Sequence, residues 1–310
     1  MGEEGMMIPI IDLDDFPNQA EKLVCACKEW GSFRIINHKV PLTLMSDMKS
    51  VVKSLFDVPV EIKKRNTDVI AGSGYVAPNK DNPLYEALGL YDLGSSQAVQ
   101  EFCNQLEVST DQRDTIMVYA SALHNLTTEV WSKLAESMGV GSDSVKEWKC
   151  QFRINKYNFT HETIGSTGVC IHTDSSFLTI LQEDECVGGL EVMPISSLPM
   201  GSFVPVDPLP GSLLVNLGDM ATLWSNGTLY NVKHRVQCKD AALRFSIAMF
   251  LLGPKDKLVK APPEFIDADH PQLYAPFTFI DLRKLRLSSG SRAGEVLDLA
   301  RLPPIASQTV

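Results

Sequence analysis

The chain has 310 residues, of which 44% are hydrophobic and 21% charged, so it is long enough for one large globular domain or two small ones. Its 28 basic residues against 38 acidic ones give a formal net charge of −10, and no long block of Lys and Arg is present. This balance argues against nucleic acid and anionic membranes as partners, and no apolar run approaches the roughly 20 residues of a membrane-spanning helix.

The first half of the chain, residues 17–150, is mostly helical in pattern. Apolar residues recur near helical spacing in three stretches, Ala20–Trp30, Leu42–Phe56 and Thr110–Met138. Between the second and the third lies a Gly-, Pro- and Asn-rich segment, AGSGYVAPNKDNPLYEALGLYD at 71–92, which fits neither a helical nor a strand period. Because long loops in compact domains are often functional, we interpret this segment as a candidate lid.

From residue 151 onward the pattern changes to short β-branched and aromatic runs broken by Gly, Pro and Asn. The runs are FRINKYNF, FLTILQ, GGLEVM, FVPVDP, SLLVNLG, YNVKHRVQ and RFSIAMFLL. Strands at this spacing are typical of a sandwich or jelly roll. Since no repeat and no linker separates the halves, we predict one shared core: an all-β double sheet with helices packed around it.

The segment GVCIHTDSSFLTILQEDE, residues 168–185, sets His172 and Asp174 one residue apart. Residues i and i+2 of a strand project from the same face, so both side chains can approach one atom. Alone the pattern is weak, because a polar turn produces it equally well. A third ligand candidate, His234, lies in a later β-run, and two imidazoles with one carboxylate form the facial triad of non-haem Fe(II) sites.

A second polar pattern follows on an apolar strand, where Arg244 and Ser246 again stand at i and i+2. A buried Arg is costly unless an anion meets it, and its planar fork suits a carboxylate. An internal salt bridge is the alternative. Earlier in the chain Arg153, Asn155 and Tyr157 share one strand face, either as pocket lining or as a solvated surface.

These motifs, with the text around them, resemble the plant 2-oxoglutarate- and Fe(II)-dependent dioxygenases over nearly the whole chain. The similar segments are IPIIDL, WGSFRIINHKV, LFDVPVEIKKR, HTDSSFLTILQEDECVGGLEV, LLVNLGDMATLWSNGTLYNVKHRV and RFSIAMFLLGP. The resemblance implies a double-stranded β-helix (jelly roll) with a mainly helical N-terminal region. We expect this region at 7–106, the core at 148–255 and a C-terminal extension at 256–310, all in one structural unit.

The resemblance also implies roles for the polar residues. The iron ligands and catalytic residues would be His172, Asp174 and His234. Arg244 and Ser246 would bind the distal carboxylate of 2-oxoglutarate, with Asn155 and Tyr157 supporting this cosubstrate. The cofactors would then be Fe(II), 2-oxoglutarate and O2, with ascorbate as reductant, and the reaction would release succinate and CO2.

Two further segments, RNTDVIAGSGYVAPNKDNPLYEALGLYD and QFRINKYNF, are similar to the auxin-oxidising branch of this superfamily. That branch converts indole-3-acetic acid or its amino-acid conjugates to the 2-oxindole form. For the indole we consider Phe250, Phe159, Phe177 and Tyr75 as aromatic contacts, and Arg153 as the partner of the carboxylate. A place in the ordinary core for each Phe, and an internal ion pair for Arg153, are open alternatives.

Other functions share parts of the pattern. A zinc hydrolase would use the same triad but would not need the Arg244 and Ser246 clamp, and a non-catalytic relative would bind a small acid as a sensor. A gibberellin, a flavonoid or another small plant metabolite is the alternative substrate of a dioxygenase. Seven cysteines without a CxxC pair, and a start that lacks a signal-peptide layout, predict reduced thiols in a cytoplasmic protein. The sequence indicates no oligomeric state.

Overall fold

Each apolar run predicted after residue 151 contains a strand in the computed structural model. The structure describes residues 6–141, 145, 147–197 and 199–303. The strands are β1 (Ile10–Asp12), β2 (Ser32–Ile36), β3 (Tyr85–Leu90), β4 (Lys149–Asn158), β5 (Thr167–His172), β6 (Leu178–Gln182), β7 (Leu190–Met193), β8 (Val204–Pro205), β9 (Leu213–Leu217), β10 (Lys233–Gln237) and β11 (Leu243–Leu252). The α-helices are α1 (Ala20–Glu29), α2 (Leu42–Asp57), α3 (Val60–Lys63), α4 (Ser96–Gln105), α5 (Thr110–Ser137), α6 (Asp219–Trp224), α7 (Phe279–Ser289) and α8 (Val296–Ala300).

The strands form two sheets. The larger one has seven strands in the order β1-β2-β9-β6-β11-β4-β3, and the smaller one has four in the order β5-β10-β7-β8. Apolar side chains from both sheets, including Tyr157 and Leu214 from the larger and Val192 and Val236 from the smaller, pack into one cluster. The double-stranded β-helix, or jelly roll, predicted from the sequence is confirmed.

The N-terminal region is richer in strands than predicted, since it adds β1, β2 and β3 to the larger sheet. Strand β3 lies inside the candidate lid, so the prediction of a strand-free segment at 71–92 is wrong at its end. This strand pairs with β4 along its whole length and forms the edge of the sheet. Asn66 covers that edge: its Nδ2 donates to the Gly89 carbonyl at 2.8 Å and its Oδ1 accepts from the Gly89 amide at 2.9 Å.

Helix α5 supplies much of the core behind the larger sheet. It begins at a capping box in which Ser109 and Gln112 exchange hydrogen bonds. Near its end Trp131 packs edge to face on Phe177 and Trp224, with ring centroids 5.0 and 5.1 Å apart. Phe177 is fully buried in this aromatic cluster.

The C-terminal extension contains α7 and α8, which the sequence pattern did not predict. Helix α7 begins where the Thr278 side chain accepts a hydrogen bond from the Asp281 amide, and it ends at Gly290 in the left-handed conformation. Among the described residues, no helix is both long enough and apolar enough to cross a membrane.

Candidate active site

Two paired strands bring the metal-ligand candidates together. His172 is the last residue of β5, and the strand pairing places it opposite His234 on β10. Asp174 lies in the turn after β5, so the prediction that His172 and Asp174 share a strand is wrong. The three side chains converge nevertheless: Asp174 Oδ1 is 3.8 Å from Nε2 of each histidine, and one ligand atom of each residue lies within 4.8 Å of the others.

Backbone carbonyls orient both imidazole rings. His172 Nδ1 is 2.9 Å from the carbonyl oxygen of Cys170, and His234 Nδ1 is 3.1 Å from that of Val232. Because a carbonyl oxygen only accepts, each Nδ1 carries a proton, and each Nε2, 3.8 Å from Asp174 Oδ1, is the nitrogen left for a metal ion. This arrangement fixes the tautomer that a metal ligand requires.

The protonation states agree with a metal site. Desolvation in the cavity and the charge of His234 lower the pKa of His172 to about 4, so the ring is neutral at pH 7. Burial opposes the charged form of Asp174, but the two rings, Thr179 and Arg286 outweigh it and hold the pKa of Asp174 below its usual range. Two imidazole nitrogens and one carboxylate oxygen are a donor set that fits Fe(II).

A hydroxyl supports the carboxylate. Thr179 on β6 donates through Oγ1 to Asp174 Oδ2 at 2.6 Å, which leaves Oδ1 to face the histidines. Ser176 Oγ is 3.1 Å from the Thr179 hydroxyl and extends the contact. Thr179 carries no signal in the sequence, because its role depends on where β6 lies beside Asp174.

We expect Thr179→Val to weaken Fe(II) binding by about 10- to 100-fold, because a partner that holds a ligating carboxylate is lost while the side-chain shape is nearly kept. Competition with a chelator under nitrogen measures the affinity. The control is Thr222→Val, which removes another buried hydroxyl, bonded to the Leu229 carbonyl at 2.9 Å. Equal iron affinities for the two variants would contradict the assigned role of Thr179.

Helix α7 reaches the turn between the ligands through Arg286. Its guanidinium donates to the Thr173 carbonyl at 2.6 Å and to Asp219 Oδ2 at 2.7 Å. Burial raises the pKa of Asp219, and the charge of Arg286 opposes that rise. The amide of Asp219 in turn donates to the carbonyl of Asp174 at 2.8 Å. The backbone on both sides of Asp174 is therefore fixed from a distant part of the chain.

Arg244 forms the second polar centre, on β11. Its side chain is almost completely buried at 1% exposure, yet Nε and Nη1 have no hydrogen-bond partner among the described residues. The guanidinium lies over the ring of Tyr157, 5.0 Å from the centroid. Among the described residues, the internal salt bridge considered as an alternative is not formed within 4 Å. Glu183, which the charge of Arg244 reaches, pairs with Arg34 at 2.6 Å. A buried cation with free donors fits a carboxylate ligand.

The predicted cosubstrate residues lie beside Arg244. The strand pairing places Tyr157 opposite Arg244 and Asn155 opposite Ser246. Asn155 Nδ2 donates to Ser246 Oγ at 3.2 Å. Burial raises the pKa of Tyr157 to about 12, so the phenol is neutral and can donate a hydrogen bond. All four residues line one cavity, so the neutral polar groups of Asn155, Tyr157 and Ser246 share it with the guanidinium of Arg244.

One cavity of about 290 Å³ joins the two centres. The predicted residues that line it are His172, Asp174, His234, Arg244, Ser246, Asn155, Tyr157, Arg153 and Phe250. Apolar side chains of both sheets, Val169, Leu181, Leu190 and Val236, also line it. The structure thus brings the metal centre, the anion centre and an apolar surface into the same space.

Three of the proposed substrate contacts lie outside this wall. Phe177 belongs to the aromatic cluster with Trp131, and Phe159 is buried behind Tyr157, with ring centroids 5.7 Å apart. Tyr75 points to Glu86, to which its hydroxyl donates at 2.8 Å. These three residues therefore do not line the pocket as expected, because each ring is held by core packing or by a buried carboxylate.

Family models match two parts of the chain. Residues 148–253 match the model described as the 2OG-Fe(II) oxygenase superfamily, and residues 8–115 match the model of the N-terminal region of a non-haem dioxygenase in morphine synthesis. The two stretches contain the jelly-roll core and the N-terminal strands and helices.

Among curated relatives, the rice 2-oxoglutarate-dependent dioxygenase DAO (Oryza sativa subsp. indica) is 51% identical over 94% of this chain and 97% of its own length. A gibberellin 3-beta-dioxygenase of Pisum sativum is 30% identical over 90% of this chain and 76% of its own. The solved 2-oxoglutarate complex of dioxygenase for auxin oxidation 1 from Arabidopsis thaliana is 58% identical, with a TM-score of 0.83, 86% of this chain covered and 100% of that one. The crystal structure of the rice dioxygenase for auxin oxidation covers 95% of this chain and 100% of its own, with 50% identity and a TM-score of 0.87.

Proposed function

Because this chain belongs to the 2OG-Fe(II) oxygenase superfamily, we propose that it oxidises indole-3-acetic acid, the auxin, or its amino-acid conjugates to the 2-oxindole form. It is a non-haem Fe(II)- and 2-oxoglutarate-dependent dioxygenase, so it is neither the zinc hydrolase nor the non-catalytic sensor considered as alternatives. The substrate proposal rests on one observation: this chain is much more similar to the enzymes named for auxin oxidation than to gibberellin oxygenases.

The protein residues have separate tasks in this proposal. His172, Asp174 and His234 hold the iron, and Arg244 with Ser246 holds the far carboxylate of 2-oxoglutarate. Bound Fe(II), 2-oxoglutarate and O2 supply the oxidising power, and succinate and CO2 leave. The apolar wall excludes water and positions the small organic substrate.

Arg153 and Phe250 are the proposed substrate contacts. Arg153 stands opposite Ala248 on β11, and Phe250 follows two residues later on the same face, about 7 Å further along the strand. Arg153 bonds to Tyr85 and to the Gly72 carbonyl, with no carboxylate within 4 Å among the described residues. Its charge is therefore available to the carboxylate of an indole acid, while Phe250 offers a ring to the indole.

Aerobic turnover with Fe(II), ascorbate and 2-oxoglutarate tests the proposal. Indole-3-acetic acid, its aspartate conjugate and a gibberellin are offered in parallel, and succinate is followed together with product mass. We expect substrate-dependent succinate and the gain of one oxygen atom with an indole acid. Turnover of the gibberellin alone would transfer the proposal to the alternative substrate class.

We also propose that the reaction takes place in the cytoplasm, which detection of the tagged protein in fractionated cells checks.

We expect Arg153→Gln to raise KM for indole-3-acetic acid by about 10-fold or more, since a hydrogen bond to a charged group is lost. KM for the neutral amide of this acid should rise far less. Arg283→Gln is the matched control, because Arg283 also donates to a carbonyl of the same loop, that of Ala71, without lining the cavity. A similar rise of KM in both variants would assign the effect to the loop rather than to the carboxylate.

A further inference from the structure

Tyr85 connects the two polar regions of the cavity. It is the first residue of β3 and lies opposite Tyr157 on β4. Its hydroxyl donates to Asn155 Oδ1 at 2.7 Å and accepts from Arg153 Nε at 3.0 Å. One hydroxyl therefore contacts both a residue of the cosubstrate region and the proposed partner of the substrate carboxylate.

The hydrogen bonds continue in one direction. Arg153 can only donate, so the Tyr85 hydroxyl accepts from it and donates onward to Asn155. The amide orientation of Asn155 is thereby set, since Oδ1 faces Tyr85 and Nδ2 donates to Ser246 at 3.2 Å. Ser246 Oγ accepts this bond, and its hydroxyl hydrogen is a separate donor. The chain of donors runs from Arg153 to the residue beside Arg244.

Contacts between aromatic rings and guanidinium groups link the same region in addition to the hydrogen bonds. The rings of Tyr85 and Tyr157 have centroids 5.6 Å apart, and the guanidinium of Arg244 lies 5.0 Å from the Tyr157 centroid. On the other side the guanidinium of Arg153 lies 6.0 Å from the Tyr85 centroid. A shift of the Tyr85 ring would therefore disturb the surroundings of both arginines.

We propose that Tyr85 is a positioning residue that couples the 2-oxoglutarate site to the substrate site. Its hydroxyl orients Asn155, and through it Ser246, toward the cosubstrate, and it orients Arg153 toward the acid. The part that concerns Arg153 rests on the proposed function. Binding of 2-oxoglutarate orders the shared chain of hydrogen bonds, so the organic acid binds more tightly afterwards, and the reverse holds by linkage.

The test is Tyr85→Phe, which keeps the ring and removes the hydroxyl. Binding of 2-oxoglutarate to the Fe(II) protein is measured by calorimetry under nitrogen, with and without indole-3-acetic acid. We expect the Kd of 2-oxoglutarate to rise about fivefold or more, as for the loss of one buried hydrogen bond, and the tightening caused by the acid to disappear. Tyr75→Phe is the control, since its hydroxyl bonds Glu86 outside the cavity, and it should leave both values unchanged.

A double-mutant cycle separates coupling from simple loss of structure. Arg153→Gln should weaken 2-oxoglutarate binding only while Tyr85 keeps its hydroxyl, so in the Tyr85→Phe background it should have no further effect. Additive effects of the two changes would overturn the coupling, and an unchanged Kd in Tyr85→Phe would overturn the positioning role. If the wild type fails to bind the indole acid, the substrate proposal falls, and the Kd of 2-oxoglutarate alone still decides whether Tyr85 positions the cosubstrate residues.

Discussion

Replacing Asp174 by alanine is expected to abolish iron binding and turnover together. Asp174 supplies the carboxylate of the triad, and its Oδ1 lies 3.8 Å from Nε2 of both His172 and His234. Without it the site offers two imidazoles, which do not complete the facial triad of Fe(II). Iron content after loading under nitrogen and desalting should fall below about a tenth of the wild-type value, and succinate formation should be undetectable.

Asp184→Ala is the matched control for this change. Asp184 is also buried, at 4% exposure against 9% for Asp174, but it accepts from the backbone amide of Phe245 and pairs with Lys49 at 3.3 Å. We expect that variant to unfold at a lower temperature and to keep its iron. A full iron complement in Asp174→Ala would show that the three convergent side chains are not the metal site.

The second large effect is expected for Arg244→Met, which should raise the Kd of 2-oxoglutarate by at least about 30-fold while iron stays bound. Removing one partner of a buried charge pair costs about 2 to 5 kcal/mol, and about 1.4 kcal/mol corresponds to tenfold. The ligand-free protein should lose little stability, because Nε and Nη1 of Arg244 have no partner among the described residues. An apolar side chain also removes the cost of keeping a charge away from water, which offsets the lost contact of Arg244 with the Tyr157 ring.

Arg34→Met provides the contrast within the same sheet. Arg34 is as buried as Arg244, at 2% exposure, but it pairs with Glu183 at 2.6 Å and donates to Ser212 at 3.0 Å. Its loss leaves the buried Glu183 carboxylate without its bonded partner and should cost about 3 to 5 kcal/mol of unfolding free energy. Denaturant unfolding and calorimetric titration with 2-oxoglutarate measure both quantities. If Arg244→Met lost as much stability as Arg34→Met and bound 2-oxoglutarate normally, the anion site would lie elsewhere.

The sequence was sufficient to select residues whose chemistry is unusual for their surroundings. A buried Arg244 in the apolar run RFSIAMFLL requires an anion, and His172, Asp174 and His234 form a recognisable donor set wherever they meet. Arg244 and His234 lie on β11 and β10, within two of the runs predicted as strands, whereas His172 ends β5 and Asp174 follows it outside any strand. The jelly roll could be predicted for the same reason, because its strands are apolar and separated by turn residues.

Tyr85, Thr179 and Arg286 could not be selected in this way. Each is of a type that is common at ordinary positions, and its importance comes from a partner that only the fold brings close. Tyr85 meets Asn155 because of the β3–β4 register, and Arg286 meets Thr173 across 113 positions of chain. Phe177 shows the reverse error: it lies next to the metal motif in sequence, but its side chain turns to the opposite side, toward Trp131.

The contact of Arg286 with the turn that carries Asp174 also determines when that turn can be completed during synthesis. A ribosome releases the chain from its N-terminus, so β5, β6 and β10 emerge well before α7. Until residue 286 is outside, the carbonyl of Thr173 and the carboxylate of Asp219 lack the guanidinium that joins them in the finished protein. The metal centre is therefore among the last parts of the molecule to reach its final form, although its ligands are made much earlier.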